Sequence, residues 1–127
     1  MVALAGPATN LVLAIVGILV MLMYAKVMGG TPNDIFTNTT DLMIGFWLNF
    51  SFLNIALAVF NLIPIAPLDG YRLIKIRWHT GAEWMERNSR FGIIFVIALV
   101  YIASPIFTHI STSIFTILFT IIGQVFY

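Results

Sequence analysis

The 127-residue chain has no cysteine, which excludes disulfides, thiolate metal sites and cysteine nucleophiles. Charge is nearly as scarce. Only 9% of the residues are Asp, Glu, Lys or Arg, against about 25% in a soluble globule. Histidine occurs twice, at His79 and His109, and no His-Glu-x-x-His element is present. There is no Gly-rich phosphate loop, and no serine such as Ser51 has a histidine base at a plausible address. A net charge of +1 provides no electrostatic basis for binding nucleic acid.

What fills the chain is apolar. Hydrophobic residues make up 61% of it, and the mean hydropathy is +1.03. These values place it in the lipid bilayer as an integral, multi-pass membrane protein. The expected fold is all-α: a polytopic transmembrane helical bundle of about four membrane helices, with residues 1–127 forming a single membrane domain. No basic residue precedes the first apolar run, so that run is expected to stay in the membrane instead of being cleaved as a signal.

The first span is expected from about Pro7 to Met28, with Pro7 suited to the first helical turn. Gly6, Asn10, Ala14 and Gly17 recur at helical spacing, a narrow face that lets another helix approach closely and carries one amide. Gly29 to Asp41 reads as a polar loop, and its Asn38-Thr39-Thr40 matches a glycosylation sequon only weakly. The second span, about Leu42 to Ile63, carries Asn49, Ser51, Asn54 and Asn61. Asn54 and Asn61 lie two turns apart on one face. Amides at membrane depth face a protein interior or mark a site, and both readings stand here.

That span ends in Asn61-Leu62-Ile63-Pro64-Ile65-Ala66-Pro67-Leu68-Asp69-Gly70. The prolines remove backbone donors and leave carbonyls one turn back without partners. Asp69 is then either an ordinary turn residue neutralised by Arg72 or Lys75, or a carboxylate that awaits another cation. Beyond it, Arg72, Lys75, Arg77, Arg87 and Arg90 are five of the six basic residues in the chain. The positive-inside rule makes the loop 71–90 and the N-terminus cytoplasmic. Thr80-Gly81-Ala82-Glu83 reads as a capping box, which speaks against His79 and Glu83 as metal ligands. Two further membrane helices are expected, about Phe91 to Ala103 continuing toward Phe107, and about Ser113 to Phe126. They are divided by Ser104-Pro105 and a polar patch that contains an interfacial His109.

Ala5-Gly6-Pro7-Ala8-Thr9-Asn10, together with the later Asn61 to Gly70 segment, resembles the site-2 protease family of intramembrane zinc metalloproteases. The stretch from Glu86 to Ile94 also resembles the region just after the Leu-Asp-Gly motif in small prokaryotic members. The resemblance covers essentially the whole chain. Ala66 departs from it, since many members have proline there.

The resemblance implies a Zn2+ cofactor with Asp69 as third ligand. It implies that Asn61 lies beside the active site, with Asn54 and Asn10 as further lining. It also implies membrane-spanning protein segments as substrates, and a prokaryotic cell membrane as the location. In the family, zinc polarises the scissile carbonyl and a glutamate moves the protons. That glutamate belongs to a His-Glu-x-x-His helix which normally precedes the Ala-Gly-Pro segment. The chain is therefore expected to be the C-terminal part of such a protease, inactive by itself. The alternative is a non-catalytic membrane scaffold or regulator that retains the fold. A small transporter is disfavoured, because no second interrupted segment matches the first.

Overall fold

A computed structural model describes residues 4–37, 41–63 and 89–127, together with Leu68, Glu83 and Arg87. These residues are almost entirely helical, and no strand occurs among them. Helix α1 spans Ala5–Val27, α2 Pro32–Thr37, α3 Leu42–Asn61 and α4 Ser89–Phe126. Among the described residues, Ala5–Val27, Leu42–Asn61 and Ser104–Phe126 are long and apolar enough to cross a membrane. The protein is a multi-pass, all-helical membrane protein.

Helix α1 ends where its backbone can turn left-handed. Gly29 has φ +75°, and the N–H groups of Gly29 and Gly30 donate to the carbonyls of Lys26 and Ala25 at 3.1 and 2.9 Å. This is the glycine-dependent Schellman closure, which satisfies carbonyls that a helix end leaves free.

The stretch after it, expected as a plain polar loop, contains α2. Pro32 takes the first helical position, where its missing donor costs nothing. The Asp34 carboxylate accepts from the Thr31 N–H at 2.6 Å and from its hydroxyl at 2.8 Å. Ile35 is fully buried and ties this short helix to the core formed largely by α1. The Asn38 to Thr40 sequon lies outside the described residues.

Asp41 caps α3, its side chain accepting from the N–H groups of Met43 and Ile44 at 2.8 and 3.4 Å. At the other end, Leu62 and Ile63 donate to Val59 and Phe60, three residues back. The last turn is thus tightened just before Pro64, whose ring disfavours helical geometry in the residue ahead of it.

The two helices expected after residue 90 are one. Helix α4 runs unbroken for 38 residues through Pro105, about 57 Å at 1.5 Å per residue and nearly twice the hydrocarbon thickness. Several hydroxyls in and after the polar patch that reads as a break bond inside the helix. Thr108 donates to the Ser104 carbonyl, Ser113 to His109, Thr116 to Thr112 and Thr120 to Thr116, all at 2.8–2.9 Å. His109 is accordingly an exposed helical residue, not part of a turn.

Helices α1 and α3 form the main contact of the bundle. Ala14, Ile18, Met21, Leu22 and Ala25 recur at helical spacing on α1, and each is buried. Ile44 and Ile55 of α3 join them, with Phe115 and Phe119 of α4. The helices meet most closely at Gly17, where an added Cβ would collide with the Ser51 hydroxyl and lie 3.0 Å from the Phe50 ring. The small face expected on α1 is therefore the packing seam.

Tyr24 donates to the Asp41 carboxylate at 3.1 Å. With Gly17 beside Ser51, this makes α1 and α3 antiparallel. Helix α4 runs antiparallel to α3 in turn. Phe107 meets Phe60 edge-on at 6.4 Å, while the Lys26 ammonium donates to the Phe126 carbonyl at 2.7 Å.

Because the seam has no spare room, Gly17→Leu overfills it and is expected to destabilise the bundle by about 1–3 kcal/mol in detergent unfolding. Gly17→Ala is expected to lose less, and Ser51→Ala is expected to relieve part of that loss. Separately, the Thr31 bonds hold the Asp34 carboxyl below the usual carboxylate range. Its contribution is therefore present above the unfolded value and lost as pH falls through the lowered folded value. Amide exchange in α2 should accelerate over that acidic window, and Thr31→Ala should diminish the pH dependence.

Candidate active site

Each polar side chain in the second span faces the same constraint. Lipid offers no hydrogen bonds, so a partner must come from protein. Helix α3 resolves this mostly within itself. Asn49 donates to the Gly45 carbonyl at 2.7 Å, Ser51 to Trp47 at 2.8 Å and Asn54 to Phe50 at 2.8 Å. Their surroundings differ. Asn49 is exposed, whereas Ser51 and Asn54 are buried at 0% and 6% exposure. Asn54 thus faces the protein interior, as its place on the stripe implies.

Asn61 is the last residue of α3 and is half-buried. Asn10 is half-buried on α1. The antiparallel register brings the Pro7–Asn10 end of α1 to the same end of the pair as Asn61. Among the described residues, no hydrogen bond joins Asn10, Asn54 and Asn61, and the amides of Asn10 and Asn61 have no partner. The fold brings Asn10 and Asn61 toward one end without linking them and leaves Asn54 in the middle of the pair.

Asp69, the ligand implied by resemblance, lies outside the described residues, as do Pro64 to Pro67, Arg72, Lys75 and His79. The described residues by themselves do not fit a zinc ion, since no group of three His, Cys, Asp or Glu occurs among them. The described aspartates sit at the far end of the helix pair and are engaged there, Asp34 with Thr31 and Asp41 with Tyr24 and the start of α3.

Sequence reasoning missed one buried polar residue. Ser111 of α4 is fully buried, and among the described residues its hydroxyl has no partner. Its burial was legible only through spacing, because Ser111, Phe115 and Phe119 recur every four residues on one face.

The model of peptidase family M50 matches residues 1–104. A Bacillus subtilis protein named "Putative zinc metalloprotease YwhC" is 34% identical over 112 residues, covering 87% of this chain and 48% of that protein. A Methanocaldococcus jannaschii protein named "Putative zinc metalloprotease MJ0611" is 36% identical over 76 residues, covering 58% of this chain and 32% of that one. The chain thus spans about half the length of the first relative and a third of the second. No solved structure matches it. A family match over most of the chain agrees with the Ala-Gly-Pro start of α1 and the Leu-Asp-Gly segment after α3: the chain belongs to peptidase family M50, the site-2 protease family.

Proposed function

We propose that this chain is part of an intramembrane zinc metalloprotease that hydrolyses peptide bonds within membrane-spanning protein substrates. In this reading Asp69 is the third zinc ligand, and Asn61, with Asn54 and Asn10, lines the site. The observation that carries it is the convergence of Asn10 and Asn61 at one end of the α1–α3 pair, directly before the Pro64 to Asp69 segment. Membership of family M50 supports the same assignment.

The residues of this chain suit such a substrate. A peptide bond inside a membrane helix is cleavable only once its segment is unwound, which frees backbone N–H and C=O groups in a medium that cannot bond them. An amide presents both donors and an acceptor. Asn61 at a helix end can therefore hold an extended backbone, and no described side chain competes for it. Asn54 and Ser51 keep the neighbouring interior polar, although each spends a donor on its own helix. The end of the bundle that carries the N-terminus and the loop 71–90 is cytoplasmic in this proposal, on the strength of the five basic residues there.

The alternative is a non-catalytic membrane scaffold or regulator. It is favoured by the absence of His-Glu-x-x-His from these 127 residues. Reading the coding sequence upstream of Met1 separates the two, since an in-frame His-Glu-x-x-His supports the protease.

In a protein that carries that element, Asp69→Asn is expected to abolish cleavage of a membrane-spanning substrate and to lower retained zinc. Retained cleavage would overturn the ligand assignment. Asn61→Ala is expected to lower kcat on the order of 100-fold, the effect of deleting one polar group from a preorganised site, with zinc content unchanged. Zinc lost together with activity would instead make Asn61 a support for the metal.

A further inference from the structure

We draw no further inference here: the strongest candidate, the fully buried Ser111 hydroxyl on the face of α4 that carries Phe115 and Phe119 into the apolar core, has no hydrogen-bond partner among the described residues, and nothing in the structure shows what it would bind.

Discussion

The bundle depends on the close approach of α1 and α3 at Gly17. In water, burying Ile18, Met21 and Leu22 would itself drive association. In a bilayer the alternative to burial is lipid, as apolar as those side chains, so only the quality of packing distinguishes the two states. Packing requires proximity. Gly17, with no Cβ, lets the Ser51 hydroxyl and the Phe50 ring fill the space beside it, and Ala14 one turn back is likewise buried. The antiparallel register of the pair comes from this contact together with the Tyr24 bond to Asp41. That register is what brings Asn10 and Asn61 to the same end.

A second regularity governs the polar residues. Thr9 on α1, Asn49, Ser51 and Asn54 on α3, and four hydroxyl residues on α4 all donate to the carbonyl four residues back. A membrane helix can therefore carry many polar side chains without any being a site, because the backbone already offers an acceptor. This device lets α4 carry four of its hydroxyls inside a continuous helix where the sequence reads as interrupted. It also separates the α3 amides into two kinds. Asn54 is partly satisfied within its own helix, whereas Asn61 stands at the helix end, next to the segment that carries Asp69.

The linkages at the far end have a different character. Asp34 and Asp41, the acids nearest the α1–α3 turn, cap helices, and Lys26 meets the Phe126 carbonyl and lies over the Phe126 and Tyr127 rings. Tyr127 in turn donates to the Gly30 carbonyl at 3.1 Å. Charge at this end holds the three long helices together. The sequence concentrates its other basic residues and the ligand candidate in residues 69–90, which follow α3 in the chain.

Composition and hydropathy alone determined the environment, the all-helical class and the first two spans to within a few residues, because lipid permits few other ways to satisfy a backbone. The Ala-Gly-Pro and Leu-Asp-Gly segments were likewise enough to indicate the family to which the chain belongs. The continuity of α4 was not legible, since Ser104-Pro105 and the hydroxyls after it carry the same local signals in a turn and in a self-bonded helix. Helix α2 escaped notice for a related reason: Ile35 anchors a six-residue helix only because the core lies beneath it. Spacing put Asn54 and Asn61 on one stripe and Asn10 on the small face of α1. Only the tertiary contact between Gly17 and Ser51 decided that Asn10 and Asn61 share one end of the helix pair, because a register between helices depends on the fit of two surfaces and neither helix encodes it alone.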